Sequence, residues 1–358
     1  MSAHRLYDIW IVRIRELLPS ERVTRQRNLV WMIIGMYLGQ SVHLSQIACK
    51  LPFRTKLTSI THRFRRFLDN PAFQPRRWYR AVARPLLTLA ASSGIVRLIV
   101  DASKVSASHQ LLMVALAYRK RALPIAWTWV KGARGHSTTA KQLALLRYVH
   151  TLVPTGVPVL ILGDCEFGAV AVARQVACWH WHYVLRQQGN TQVCVSSTAL
   201  ALHDFAALVT RRNVIVWHAQ AIFTIRHLYH ASLLGYWKTG EHAPWLLMTN
   251  LPTARAALRA YRRRMWIEEM FGDWKGHGVE TERTHLHHVQ RLSRLIFVVA
   301  LLYLWLMTRG AQTVKSGERH LVDRSDRRDL SIFRIGLYTI ARRCALGRRF
   351  AIRFTPCF

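Results

Sequence analysis

The chain has 358 residues, with 52 Lys plus Arg against 18 Asp plus Glu, a formal charge of +34 and a pI near 11.4. Such a length buries a core spread over two or three domains, and this much like charge in a folded chain points to a polyanionic partner, nucleic acid first. The six cysteines form no C-x-x-C pair, which excludes a zinc ribbon and a disulfide-framed secreted module.

Residues 1–90 read as helical and basic. An apolar helix spans residues 23–39 and ends at a glycine. A short helix near residues 43–51 meets Pro52, and a second runs from about Thr55 to Leu68, as in a helix-turn-helix. The second helix presents Lys56, Arg63, Arg65 and Arg66 around Ser59 and His62, a mixture suited to a major groove. A small bundle with a basic outer face fits the same residues. The apolar runs 29–38 and 295–307 are shorter than the ~20 residues of a membrane span. Nothing at the N-terminus resembles a cleavable signal, so a cytoplasmic setting without membrane contact is expected.

From Ile95 the pattern changes to strands: residues 95–100, ending in Asp101, then 111–118 and 123–130, joined through Arg119–Arg121 as a hairpin. A loop over 132–137 leads to a helix over 138–152 with Ser137 or Thr138 as its N-cap. A second apolar run, 159–162, stops at Gly163 and Asp164, followed by a helix near 167–179 and a strand near 183–186. Three strands, helix, strand, helix, strand describe an α/β fold with a mixed sheet flanked by helices. Both aspartates close apolar runs expected in central strands, where open α/β sheets place their chemistry.

Residues 190–245 break this rhythm and read as a β-rich insertion, with strands at 214–218 and 222–227. Trp217, Tyr229, Tyr236, Trp237 and Trp245 stand there among cations; such aromatics usually pack, but they also stack on displaced bases. Next comes YRRRMWIEEMFGDWK, residues 261–275. At ~100° per residue, Tyr261, Arg264, Glu268 and Lys275 share one face of a single helix, while Ile267, Phe271 and Trp274 form an adjoining apolar face. An ordinary amphipathic helix with an Arg264–Glu268 ion pair, worth roughly a few tenths of a kcal/mol, has the same pattern. Residues 288–307 read as a long core helix and 311–358 as a basic segment for DNA or a second subunit. The histidines, including His285, His287 and His288, match neither H-E-x-x-H nor C2H2 spacing and read as surface or DNA-facing.

Asp101, Asp164 and Glu268 are the acids that stand out. Carboxylates converging from separate elements suit two divalent ions, one activating an attacking oxygen and one stabilising a departing one, and hard oxygen donors select Mg2+ or Mn2+. An aspartate after an apolar run is also a common turn residue. The Tyr261–Arg264–Glu268–Lys275 box, with its spacing, resembles the signature of the YREK-type bacterial insertion-sequence transposases, DDE enzymes with an RNase H-like core. The similarity covers roughly residues 95–305. It implies an RNase H-like catalytic domain over 91–310 behind a helical DNA-binding domain over 1–90. It implies a metal-binding triad of Asp101, Asp164 and Glu268 holding two Mg2+ or Mn2+ ions, with Glu166 as a neighbouring acid. It also implies phosphate contacts from Tyr261, Arg264 and Lys275, and a base-stacking tryptophan, Trp237 ahead of Trp217 and Trp245. The implied partners are double-stranded DNA, as transposon ends and target, and a second copy in a synaptic homodimer at the bacterial nucleoid. The implied reaction is cut-and-paste transposition through hairpin ends; a silent DNA-binding repressor and a stand-alone nuclease are the alternatives.

Overall fold

The computed structural model describes residues 3–106, 108–132, 136–195, 203–224, 228–276 and 278–358. Five helices open the chain: α1 (Ala3–Leu17), α2 (Val23–Gly39), α3 (Leu44–Cys49), α4 (Leu57–Asp69) and α5 (Pro75–Ser92). Helix α2 ends where Gln40 turns left-handed at φ 46°. The α3–α4 pair is the two-helix unit expected, and Pro75 starts α5 at a position where its missing N–H costs nothing.

The strands β1 (Val96–Lys104), β2 (His109–Tyr118) and β3 (Arg121–Lys131) form an antiparallel meander. The β2–β3 turn is two residues, Arg119 and Lys120, both at positive φ, which matches the twist of the strands it joins. Helix α6 (Thr139–His150), capped by the Thr138 side chain accepting from Lys141 N–H, carries the chain across to β4 (Val159–Gly163). A 3-10 turn (Cys165–Phe167), α7 (Val170–Cys178) and β5 (His182–Arg186) follow. β4 lies parallel to both β1 and β5, so the strand order is β3-β2-β1-β4-β5 with only β2 reversed, an RNase H-like core.

The following strands do not form a separate body. β6 (Gln192–Cys194), β7 (His203–Asp204), β8 (Ile215–Phe223), β9 (Tyr229–Tyr236) and β10 (Trp245–Thr249) continue the same sheet to ten strands, because β10 pairs antiparallel with β5. The two strands expected over 214–218 and 222–227 are joined in the single strand β8; residues 225–227 lie outside the described residues, as do 133–135 of the expected loop. β8 is exposed at Ile215, Ala219 and Gln220 and half-buried from Val216 to His218.

Past the sheet come α8 (Ala254–Tyr261), α9 (Trp266–Gly276), α10 (Val289–Lys315) and α11 (Ile332–Ala345). The single helix expected over residues 261–275 is in fact two. Arg264 N–H bonds the Tyr261 carbonyl at 2.8 Å and Trp266 N–H the Arg263 carbonyl at 3.0 Å, an i→i−3 turn that breaks the 3.6-residue period. Helix α10 is long and apolar enough to cross a membrane, but 89% of its apolar window is buried inside the protein, packed on α2, α4, α5, β3 and α11. The basic C-terminal segment also packs on its own chain: Phe350, Ile352 and Phe354 are buried, beside Trp10 and Trp305, and Tyr118 Oη donates to the Cys357 carbonyl at 2.6 Å.

Helices α10 and α11 cross with their backbones in contact at Gly310 and Gly336, where a Cβ on Gly310 would meet the Ile332 carbonyl and one on Gly336 the Leu306 carbonyl. Gly310→Ala is therefore expected to lower unfolding free energy by ~1–3 kcal/mol, measured by denaturant melts. Gly272→Ala, in open space on α9, should match or exceed the parent.

Candidate active site

Parallel pairing of β1 with β4 sets Val100 opposite Gly163, so Asp101 and Asp164 lie level on adjacent chains; β1 runs on to Lys104, which places Asp101 inside its strand rather than at the end expected, while Asp164 follows the last residue of β4. Adjacent strands lie ~4.8 Å apart, which brings the two carboxyls to one site. Gly163 is required there: a Cβ would come 2.8 Å from the Phe167 Cβ as the chain folds back into the 3-10 turn. Asp164 caps that turn, its Oδ1 accepting from Glu166 N–H at 2.9 Å. The Glu166 carboxylate faces elsewhere. It accepts from Ser137 N–H at 2.7 Å and from Ser137 Oγ, and so anchors the start of α6.

Asp101 is buried, its Oδ1 accepting from Ala102 N–H at 2.8 Å. Arg264 faces it, Nη1 standing 3.6 Å from Asp101 Oδ2, while Nη2 donates to Glu268 Oε1. One guanidinium thus bridges the first and third acids. Burial pushes the Asp101 carboxyl up to about 7; Arg264 opposes this, and the charges of Asp164 and Glu268 add to it. These mutual effects place all three carboxylates and Arg264 in one electrostatic cluster.

Tyr261 is buried at the same place, its phenol pushed up by burial and its hydroxyl without a hydrogen-bond partner among the described residues. The ring packed edge-on against it at 5.1 Å belongs to Trp245. Trp237 lies under the Arg212 guanidinium at 5.0 Å and donates its indole N–H to the Glu241 carbonyl, and Trp217 sits half-buried on β8. Lys275 is held by Glu282 at 2.9 Å. Lys56, just before α4, and Arg66 on it are exposed, whereas Arg63 turns inward, donating to Asn28 Oδ1 at 2.7 Å and lying over the Phe53 ring.

The sequence reading missed Arg186. It ends β5 on the same side of the sheet as the aspartates, donates to the Pro244 carbonyl at 3.2 Å, and its charge bears on both Cys165 and Tyr261. The signal was present: Arg186 closes the third apolar run, as Asp101 and Asp164 close the first two. Arg121 was missed as well. From the first residue of β3 it pairs with Glu269 at 2.9 Å and with buried Asp273 at 2.8 Å, fixing α9 and with it Glu268.

Among the described residues no three His, Cys, Asp or Glu side chains already close into a metal cage. The donor chemistry nevertheless suits a divalent cation: hard oxygens from two adjacent strands, one buried against its own charge, with a third carboxylate occupied by Arg264.

The family model described as transposase DDE domain matches residues 92–305; that family typically uses divalent metal ions. Comparison with curated protein sequences returned no match. Among solved structures, the piggyBac transposase synaptic complex with hairpin DNA is similar at 11% identity and a TM-score of 0.46, over 94% of this chain and 79% of that one.

Because the folded state holds Asp101 protonated up to about pH 7 while an unfolded aspartate ionises near 3.8, stability contributed by this group is full below pH ~4 and declines as pH rises to about 7. Asp101→Asn escapes that decline. Its thermal midpoint should exceed the parent's at pH 8 and converge with it toward pH 4, read by calorimetry without divalent ions.

Proposed function

Since the chain belongs to the transposase DDE domain family, we propose that it is a cut-and-paste DNA transposase of the YREK-signature insertion-sequence type, acting in the cytoplasm at the nucleoid. The observation that carries this reading is the meeting of Asp101 in β1, Asp164 just past β4, Arg264 and Glu268 beside two parallel central strands.

Asp101, Asp164 and Glu268 would hold two divalent cations, Mg2+ or Mn2+. When bound, these supply activation of the attacking oxygen and stabilisation of the leaving one. The chain's own groups bind and orient the DNA. Arg264, released from its carboxylates, grips a phosphate flanking the scissile bond in a bidentate manner. The unpartnered Tyr261 hydroxyl donates to a neighbouring phosphate oxygen, and Lys275 exchanges Glu282 for a third. Arg186 adds a third cation on the β5 side. Trp245, beside Tyr261, is better placed than Trp237 to stack on a displaced base next to the cleavage point.

The reaction begins with a nick that frees a 3′ hydroxyl. That hydroxyl attacks the opposite strand to give a hairpin, which water reopens, and the new 3′ end then attacks target DNA. Each step is an in-line displacement at phosphorus, to which the protein contributes positioning and charge. Two copies joined as a homodimer would hold the paired ends, with Lys56 at the start of α4 and Arg66 on it facing the terminal-repeat duplex and Arg63 supporting that helix from within.

Glu268→Gln keeps the shape of the side chain and removes its charge. Cleavage of a terminal-repeat duplex with Mg2+ is expected to fall to background while duplex binding persists, measured by gel-resolved cleavage and by mobility shift; cleavage at the parent rate would sink the mechanism. Affinity for duplex should also fall steeply with salt. With six to ten phosphate contacts, a loss of roughly 10^3–10^5-fold is expected between 50 and 200 mM, and a flat salt titration would contradict an extended footprint.

A further inference from the structure

Between the α4–α5 turn, the edge strand β3 and the first turn of α10 lies a cavity of about 560 Å3 that cleavage as described leaves unused. Two helices begin on it: Gln74, Arg76 and Arg77 line it from the start of α5, and Gln290 from the start of α10. Neither helix has a side-chain cap. Pro75 brings no N–H, and among the described residues the backbone N–H groups of Arg76, Arg77 and Gln290 have no acceptor. Such free N–H groups, at the positive end of a helix dipole, favour an anion.

A buried cation lines the same cavity. Arg294 is only 8% exposed; its Nε and Nη1 donate to the Phe73 and Leu68 carbonyls, which leaves Nη2 without an acceptor among the described residues. No carboxylate there lies within ion-pair range of it, since Asp69 is taken by Arg291. A buried charge without a counter-ion is costly, and an anion in the cavity would offset that cost. Ser293 Oγ accepts from Trp127 Nε1 at 3.2 Å and keeps its own proton to donate. Trp129, 6% exposed, also lines the cavity, and its indole N–H has no partner. Arg77 is paired with Glu21, whereas Arg76 lies over the Tyr148 ring with no carboxylate in range. None of the lining residues is acidic. The strand register gives the distance to the chemistry: Asp101 pairs with Met113 and Met113 with Trp127. The β3 wall of the cavity therefore stands two strand spacings, about 10 Å, from the acid.

We propose that this cavity seats one backbone phosphate of the bound DNA, held by the starts of α5 and α10 with Arg294 beneath it. This rests on the transposase reading. At ~3.4 Å per nucleotide along a duplex, 10 Å is about three steps from the phosphate being cut. A phosphate contact fixes the register of a duplex without reading its sequence. Because α5, β3 and α10 build the seat together, it would fix the DNA directly to the sheet that carries Asp101.

The test is Gln74→Glu/Gln290→Glu in full-length protein, with Gln74→Asn/Gln290→Asn as the neutral control. The new carboxylates suit the helix dipoles, so the fold is kept while a phosphate is repelled. Inorganic phosphate should raise the thermal midpoint of the parent and the neutral pair above that in chloride at equal ionic strength, and should not raise that of the glutamate pair. A terminal-repeat duplex is then scanned with single methylphosphonates, each removing one phosphate charge. In the parent, one linkage about two to four steps from the cleavage point should lower affinity about tenfold or more, the worth of a charge-assisted hydrogen bond. In the glutamate pair the same linkage should lose that effect. A scan with no such coupled linkage overturns the proposal, even where free phosphate still stabilises the protein, which would leave a small-anion site only. Equal stabilisation of the parent and the glutamate pair by phosphate overturns it as well. A coupled linkage in a parent that never cleaves retires the transposase reading and leaves the seat in place.

Discussion

The site depends on the parallel pairing of β1 with β4. Asp101 and Asp164 are far apart in the chain, and no local motif connects them; the β2–β3 hairpin and the α6 crossover bring β4 back beside β1 in the same direction. That register also buries Asp101 in a central strand, and a carboxylate there is costly unless it is paired. Arg264 supplies the compensation in the free protein. The same contact that makes the acid cluster tolerable also engages Glu268, so the residue that stabilises the resting site is the one proposed above to take a DNA phosphate.

The positive charge is therefore organised in two ways. Near the chemistry, cations are matched with carboxylates: Arg264 with Asp101 and Glu268, Lys275 with Glu282, Arg121 with Glu269 and Asp273. These pairs hold α9 in register against the sheet and keep the site from being a bare field of cations. Away from it, lysines and arginines on α4 and at the β1–β3 ends face solvent, where a polyanion meets less resistance and releases counterions on binding.

Much of this was legible in the sequence because it is local. Apolar runs ending at Asp101 and Asp164 mark strands, Thr138 marks an N-cap, and Arg119–Lys120 marks a hairpin turn. What was not legible depends on tertiary contacts. A helical wheel drawn over residues 261–275 cannot see the i→i−3 turn at Arg262–Met265; Tyr261, Arg264 and Glu268 still meet, whereas Lys275 pairs with Glu282. Trp245 rather than Trp237 meets Tyr261 because β10 pairs with β5, a long-range pairing that no spacing announces. Arg63 belongs to a basic helix face by periodicity, yet Phe53 and Asn28 draw it inward.

The helical N-terminus is bound to the catalytic sheet more firmly than a linker would allow. Arg294 of α10 is buried and donates to the Leu68 carbonyl at 2.6 Å and the Phe73 carbonyl at 2.9 Å, satisfying the C-terminal end of α4, while Arg291 pairs with Asp69. Cations at a helix C-terminus also complement its dipole. Phe73 and Trp78 stack and pack on Phe297 of the same α10. Since α10 also packs on β3, α4, the helix proposed to meet the terminal repeat, and the strands that carry the aspartates share one support. In such an arrangement the distance between the sequence that is read and the phosphate that is cut is set by side-chain packing rather than by chain length. Removing one of these arginines would loosen that spacing before it touched any catalytic group.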